Sequence, residues 1–99
     1  IDASHKYDNV LEYLECWYPK LKKGGLMSGD DYGSINLKYI NENMWKNSIS
    51  SGFYNHVKKH NFGVANAIND FCKNKNIILS VTWLNNKPIC CTPNWYFIK

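Results

Sequence analysis

The chain has 99 residues, of which 44% are hydrophobic and 20% are charged, and its formal net charge is +4. This length allows one domain with a modest core, and the composition is typical of a globular protein rather than a disordered one. All twelve basic residues are lysines, whereas arginine makes most bidentate contacts to bases and phosphates. We therefore predict no nucleic-acid binding. We also predict no membrane insertion, because no apolar run is long enough to span a bilayer.

Four cysteines bear on the compartment in which the protein works. Their spacing contains no CxxC motif and no accompanying pair of histidine ligands, so we expect no zinc site. Cys90 and Cys91 are adjacent and cannot easily pair with each other, and Cys16 and Cys72 fall in helical patterns where a reduced thiol is ordinary. Together with the absence of a signal peptide, these features favour a reducing, cytoplasmic compartment.

The first part of the chain predicts a strand followed by an amphipathic helix. Residues 1–4 have the character of a strand end, and apolar residues recur at helical spacing from Asp8 to Lys23. Asn9 and Glu12 form a possible capping box, and Pro19 predicts a kink or a looser last turn. The apolar face of this helix comprises Val10, Leu11, Leu14, Trp17, Tyr18 and Leu21.

The middle of the chain predicts a strand and a long connection. The sequence LMSG at residues 26–29 predicts a short buried strand that ends at Asp30 and Asp31. Residues 33–62 combine glycine, serine and asparagine with isolated aromatics, so we expect an irregular segment with one helical turn near Ile40 to Trp45. A loop of this length in a compact domain is often a lid or a binding loop.

The last third predicts a helix and two strands. Helical spacing runs from Gly63 to Asn74, and the sequence IILSVTW at residues 77–83 is rich in β-formers. The closing NWYFIK predicts a strand with Trp95 and Phe97 on one face. The alternation of strands and helices predicts an α/β fold with parallel strands. The turn before the closing strand is too short for a crossover, so that strand should run antiparallel to its predecessor.

This order places three carboxylates at one edge of the sheet. In an open α/β sheet ligands bind beyond the carboxyl ends of the strands, where Asp2, Asp30 and Asp31 follow two strands that would lie about 4.8 Å apart if adjacent. Like charges this close favour a divalent cation, and oxygen ligands favour Mg²⁺, Ca²⁺ or Mn²⁺ over zinc. The alternative is that Asp2 starts the helix region and the aspartate pair belongs to an ordinary turn.

His5 follows Asp2 by three residues and is a candidate general base. A neutral imidazole beside a cation could accept the proton of a substrate hydroxyl. The alternative is a histidine at the helix entry that bonds to the backbone. His56 and His60 are four residues apart and could share a helical face, but without a third ligand solvent exposure is the simpler interpretation. Three aromatic residues could line a pocket or simply pack in the core: Tyr7, Tyr32 and Trp45.

These motifs together resemble a known family. The sequence IDASHKYDNVLEYLECWYPKLKKGGLMSGDDY, followed by FGVANAINDF and the closing NWYFIK, is similar to the C-terminal half of class I S-adenosylmethionine-dependent methyltransferases. The closest branch is the small methyltransferase-domain family with IDGDHSYE-type and GDDY-type motifs. The resemblance covers nearly the whole chain outside residues 33–61. It implies strands four to seven of a Rossmann-like sheet whose last two strands form a reversed hairpin.

The resemblance also implies a set of site residues. In metal-dependent O-methyltransferases of this kind, the positions of Asp2, Asp30 and Asp31 bind the cation, and those of Asp2 and Ala3 face the cofactor, S-adenosylmethionine. A basic residue shortly after the first aspartate takes the proton from the acceptor hydroxyl. Ser4 stands where some relatives carry an aspartate, so the role of base falls to His5. Residues 33–62 would form the acceptor-side loop or lid.

The resemblance implies an enzyme of which these 99 residues are one part. The glycine-rich loop and the ribose-binding acidic residue of the family have no counterpart here, so we expect a single partial domain that is inactive alone. The expected activity is Mg²⁺-assisted methyl transfer to the hydroxyl of a small-molecule acceptor, with a sugar as one candidate. The alternative is a non-catalytic α/β interaction or oligomerisation module, which would form homo-oligomers through an exposed sheet edge.

Overall fold

Three short strands and four helices form a small mixed α/β domain in the computed structural model, which describes residues 5–82 and 93–99. Predictions that concern residues 1–4 and 83–92, including the first strand, Asp2 and Ala3, therefore lie outside the described residues. The helices are α1 (Tyr7–Trp17), α2 (Glu42–Asn47), α3 (Ser51–Lys59) and α4 (Val64–Lys75), and the strands are β1 (Leu26–Gly29), β2 (Ser80–Val81) and β3 (Trp95–Ile98).

The strand order in the sheet is β1-β3-β2, with β3 antiparallel to both neighbours. Leu26 pairs with Ile98, and Ser80 pairs with Tyr96. The prediction of a closing strand antiparallel to its predecessor is confirmed. Because β1 and β2 are both antiparallel to β3, they run in the same direction, but no two hydrogen-bonded strands within residues 5–82 and 93–99 are parallel. The finer assignment to half of a Rossmann-like sheet stays a prediction.

The two faces of the sheet differ in burial. On β3, Trp95 and Phe97 are buried while Tyr96 and Ile98 are exposed, as the alternation of the sequence predicted. The prediction that β1 is a buried strand is wrong, because Leu26 is 59% exposed. Leu26 pairs directly with Ile98, so its side chain lies on the same open face of the sheet.

Helices α1 and α4 pack against each other, and Phe71 of α4 contacts Phe97 of β3 with ring centroids 6.1 Å apart. Val10 and Leu14 of α1 are fully buried, in agreement with the predicted apolar face. The predicted capping box is wrong, because α1 begins at Tyr7 and Asn9 therefore lies inside its first turn. The helix ends at Trp17 and continues as a 3₁₀ turn, Tyr18–Lys20, which contains Pro19 and confirms the predicted looser last turn.

The segment 33–62 is more regular than its composition suggested. Its predicted helical turn corresponds to α2, but α3 was not predicted, so the expectation of an otherwise irregular segment is wrong. Each helix begins at a capping side chain: Asn41 Oδ1 accepts a hydrogen bond from Met44 N, and Ser50 Oγ accepts one from Phe53 N, both at 3.1 Å. These bonds satisfy amide groups that a helix start leaves without an intrahelical partner.

The core joins this segment to the helical layer. Its buried members come from all four helices, from β3 and from the connections, and they include Tyr32, Trp45, Phe53, Val57, Phe62, Ile68, Phe71, Trp95 and Phe97. Helices α2 and α3 therefore form part of the domain core. In residues 5–82 and 93–99, no helix combines the length and apolar character needed to cross a membrane.

Candidate functional site

The predicted base and one predicted metal ligand lie in contact. His5 Nε2 is 2.9 Å from Asp31 Oδ2, and the two side chains are 25% and 32% exposed. Asp31 is the second residue after β1 and adopts a left-handed backbone conformation with φ of 61°, which aspartate tolerates better than most residues. The end of β1 and the start of the described chain thus lie close together.

His5 is held by its neighbours on two sides. Its ring stacks in parallel on Phe62 with centroids 4.2 Å apart, and its carbonyl oxygen accepts a hydrogen bond from Gly63 N at 2.6 Å. A β-carbon at Gly63 would lie 2.5 Å from the backbone nitrogen of Tyr7, so only glycine allows this approach. The imidazole is therefore oriented by packing as well as by Asp31.

The predicted metal ligands are only partly described. Asp30 is exposed at the end of β1 and borders a surface pocket of about 370 Å³ beside Trp95 and Tyr96. Two adjacent carboxylates have the oxygen chemistry that Mg²⁺ prefers, but the third predicted ligand, Asp2, lies outside the described residues, as does Ala3. In the described part of the chain no three histidine, cysteine, aspartate or glutamate side chains are placed to share an ion. The three-carboxylate site stays a prediction.

A second polar cluster is centred on Asp70 of α4. Its Oδ2 accepts hydrogen bonds from the Tyr7 hydroxyl at 2.6 Å and from Lys38 Nζ at 3.0 Å, and its Oδ1 accepts one from the Tyr39 hydroxyl. The bonds from Tyr39 and Tyr7 lower the pKa of Asp70 to about 2, because they stabilise the carboxylate form. The same carboxylate raises the pKa of Tyr7 to about 12.

The Asp70 cluster joins three parts of the chain that the sequence did not predict to meet. Tyr7 belongs to α1, Asp70 to α4, and Lys38 and Tyr39 to the connection after β1. Nearby, buried Asn66 donates to the Asn36 carbonyl at 3.0 Å and accepts from Lys38 N at 3.1 Å. Both interactions fasten the connection to α4, and the cluster is best understood as a structural clamp.

Tyr32 and Trp45 are core residues. Both are fully buried, and Trp45 Nε1 donates a hydrogen bond to the Tyr32 carbonyl at 3.0 Å. Burial raises the pKa of the Tyr32 hydroxyl to about 12, because the anion would lose hydration. Of the three aromatic residues considered as pocket residues, these two pack in the core.

The remaining two histidines lie near His5. His56 and His60 are exposed and their ring centroids are 4.4 Å apart. Together with His5, Lys6 and Phe62 they line a pocket of about 320 Å³. The sequence placed the pair on one helical face but gave no indication that the chain would bring it to the same pocket as His5.

Comparison of the chain with protein-family models, with curated proteins and with solved structures found no match. The likeness to class I methyltransferases therefore rests on the ordered motifs of the sequence itself. In the described residues, the structure shows a mixed α/β domain with an antiparallel three-stranded sheet.

Proposed function

We propose that this chain forms the acceptor and metal side of an S-adenosylmethionine-dependent O-methyltransferase that acts on a small-molecule hydroxyl, with a sugar as one candidate. The observation that carries the proposal is the 2.9 Å contact between His5 Nε2 and Asp31 Oδ2. Both residues were assigned roles in one site by motifs that lie far apart in the sequence. Their contact is the arrangement that such a site needs.

In the proposed site His5 accepts the proton of the acceptor hydroxyl. When its Nε2–H donates to Asp31, the lone pair lies on Nδ1, which can then take the proton. The Asp31 carboxylate fixes this tautomer and stabilises the imidazolium that results, as a carboxylate does for a catalytic histidine elsewhere. The packing of the ring on Phe62 holds it in one orientation.

The cation and the cofactor would be held by the residues that the resemblance implies. Asp2, Asp30 and Asp31 would hold Mg²⁺, and a carboxylate has two oxygens, so Asp31 can contact His5 through one and a cation through the other. Asp2 and Ala3 would face S-adenosylmethionine, which supplies the methyl group when bound. The antiparallel closing strand is compatible with this proposal, although many other α/β folds contain one.

Calorimetry and a methyl-transfer assay test the proposal on the longest gene product that contains these residues. We expect heat on titration with S-adenosylmethionine, and Mg²⁺-dependent transfer of labelled methyl groups to members of a panel of sugars and phenols. Asp30→Ala should remove the Mg²⁺ dependence, whereas Asp8→Ala, an exposed acidic residue of α1, should leave it unchanged. Absence of both heat and transfer would reject the enzyme. Unchanged Mg²⁺ dependence in Asp30→Ala would reject the metal site.

A non-catalytic module is the second candidate, and the open face of the sheet favours it. Leu26 and Ile98 are each 59% exposed and Tyr96 is 40% exposed, so neighbouring apolar side chains face solvent on one surface. Such patches often mark interaction sites, and a second copy of the chain is the simplest partner. This candidate predicts a dimer by light scattering that Leu26→Ser and Ile98→Ser dissociate, without any heat from S-adenosylmethionine. A monomer at micromolar concentration would reject it.

A further inference from the structure

The end of helix α3 carries two imidazoles on one face. His56 lies in the last turn of α3, and His60 is the capping residue directly after it. His60 N donates to the His56 carbonyl at 3.0 Å. Both side chains are exposed and their ring centroids are 4.4 Å apart. Histidines spaced four residues apart on a helix place two ligands on the same side of a metal ion.

We propose that His56 and His60 bind a divalent transition metal such as Zn²⁺, Ni²⁺ or Cu²⁺. A metal–nitrogen bond of about 2.0–2.1 Å puts each ring centre roughly 3 Å from the ion, so two rings on one ion have centres about 4.5–5 Å apart. The observed separation of 4.4 Å is close to this value. Imidazole suits Zn²⁺, Ni²⁺ and Cu²⁺, whereas Mg²⁺ prefers oxygen ligands.

The position at the end of the helix favours a cation. The last carbonyl groups of a helix carry partial negative charge, which attracts positive groups within the last turn. The basic neighbours Lys58 and Lys59 act against this attraction. The charge of Lys58 is partly offset, because its Nζ contacts Glu42 Oε1 at 3.2 Å. Lys6 borders the same pocket, and its positive charge repels a cation, so replacement of Lys6 by alanine should strengthen metal binding.

His5 is not a ligand of the proposed site. Its Nε2 contacts Asp31 and its ring stacks on Phe62, and within the described ranges 5–82 and 93–99 no three potential ligands converge. A site with two protein ligands leaves coordination positions for water or for an external donor. The proposal rests on the contact between the two rings and gives neither histidine a role in methyl transfer, so it does not depend on the proposed function.

Titration calorimetry with Ni²⁺ tests the proposal on the whole chain. We expect one ion per chain. Because loss of even an outer-shell partner typically costs roughly 10–100-fold in metal affinity, His56→Ala and His60→Ala should each raise the Kd by about tenfold or more. Asn55→Ala is a matched control, because Asn55 is an exposed and uncharged residue of the same helix, and Cys16→Ser controls for the exposed thiol of α1. Both should leave the Kd unchanged, as should a large excess of Mg²⁺.

Proton magnetic resonance with diamagnetic Zn²⁺ identifies the ligands directly. Of the three histidines in the chain, two should show shifted ring signals, and the signals missing from His56→Ala and His60→Ala assign them. The proposal would be overturned if the ring signals of His56 and His60 did not shift, or if only those of His5 did. It would also be overturned if the two alanine variants bound the metal as tightly as the wild type, or if Cys16→Ser lost binding.

Discussion

His5 Nε2 lies 2.9 Å from Asp31 Oδ2, although 26 positions separate the two residues. The contact joins the residues before α1 to the end of β1, and the backbone bond from Gly63 to His5 adds the start of α4. Three segments therefore define the position of one imidazole. Substitutions at these positions can separate the effect of the arrangement on stability from its effect on the proposed methyl transfer.

His5→Gln and Asp31→Asn test the catalytic role. Removal of a general base typically lowers the rate about 10²–10⁴-fold, so we expect His5→Gln to lower kcat by such a factor, and Asp31→Asn to lower it less. The free energy of unfolding should change by about 1 kcal/mol, because one hydrogen bond between partly exposed side chains contributes about that much. Asparagine suits the left-handed conformation at position 31. Steady-state assays and urea unfolding measure both quantities, and lower stability at unchanged kcat would contradict the catalytic role.

Asp70→Asn tests the structural clamp. The change weakens hydrogen bonds from two tyrosine hydroxyls and removes the charge that Lys38 contacts. Hydrogen bonds to charged groups contribute about 1.5–3 kcal/mol each, but Asn keeps one acceptor oxygen, so we expect a loss of about 1–3 kcal/mol in urea unfolding. Asp8→Asn, on the exposed side of α1, is the control and should cost a few tenths of a kcal/mol at most. Equal effects of the two substitutions would reject the clamp.

The stabilisation from Asp70 should depend on pH in the acid range. Its pKa falls from the model-compound value of 3.8 to about 2 on folding, so the unfolded chain binds more protons between these values and stability rises with pH there. The stabilisation is complete above about pH 4 and lost towards pH 2. The difference in free energy of unfolding between wild type and Asp70→Asn should therefore narrow from pH 5 to pH 2, and a constant difference would contradict this.

The stabilisation from the Tyr7–Asp70 hydrogen bond should fall as the pH rises in the alkaline range. The pKa of Tyr7 rises from 10.0 to about 12 on folding, so its contribution is complete below pH 10 and is lost as the pH passes 12. Spectrophotometric titration of the wild type should show at least two tyrosines with a raised pKa, Tyr7 and Tyr32, and Tyr7 should ionise earlier in Asp70→Asn. An unchanged titration curve in the variant would show that Asp70 does not hold this proton.

Two glycine substitutions should have opposite effects on the free energy of unfolding. A β-carbon at Gly63 would meet the backbone of Tyr7 at 2.5 Å, whereas one at Gly52, inside α3, would meet nothing within 4 Å. We expect Gly63→Ala to destabilise by about 1–3 kcal/mol, since inserted atoms force backbone shifts. Gly52→Ala should stabilise by about 0.5–1 kcal/mol because alanine favours the helix. Thermal unfolding at one pH measures both, and a neutral Gly63→Ala would show that the close approach is relaxed.

Thiol labelling should distinguish two of the cysteines. Burial raises the pKa of the Cys72 thiol to about 11, whereas Cys16 is exposed on α1. Since the thiolate is the reactive form, iodoacetamide should modify the peptide that contains Cys16 well before the one that contains Cys72. Mass spectrometry of timed digests measures both rates. Slow unfolding of the protein is verified separately. Equal labelling rates of Cys16 and Cys72 in the folded protein would then contradict the burial of Cys72.

The long periodic segments could be predicted from the sequence, and the short ones could not. Helices α1 and α4 each bury one apolar face, so their periodicity was visible. Helix α3 offers only Phe53 and Val57 as buried residues, and Gly52 near its start argues against a helix. The capping residue Ser50 was the signal that could have revealed it. The exposure of Leu26 was not predictable, because it depends on what covers the sheet and not on the strand.

Some contacts of the candidate site could likewise be predicted from the sequence, and others could not. The meeting of His5 and Asp31 could be anticipated, because strand ends in an α/β sheet gather at one edge. The contacts of Asp70 could not, since they depend on how the connection after β1 folds back over α4, and Tyr39 and Lys38 lie in a segment without periodicity. The proximity of His56 and His60 to His5 likewise depends on the unpredicted helix α3.

The backbone bond between Ile35 N and the Phe62 carbonyl, 2.9 Å long, has a consequence for how the protein can be altered. With the adjacent bridge from Ser34 to Gly63, it closes the segment 36–61 at its base. Its ends are already joined, and the entropy of closing such a loop depends only weakly on its length. A change of length in the loop between α2 and α3 should therefore cost little stability, provided that Trp45, Phe53 and Val57 keep their places in the core.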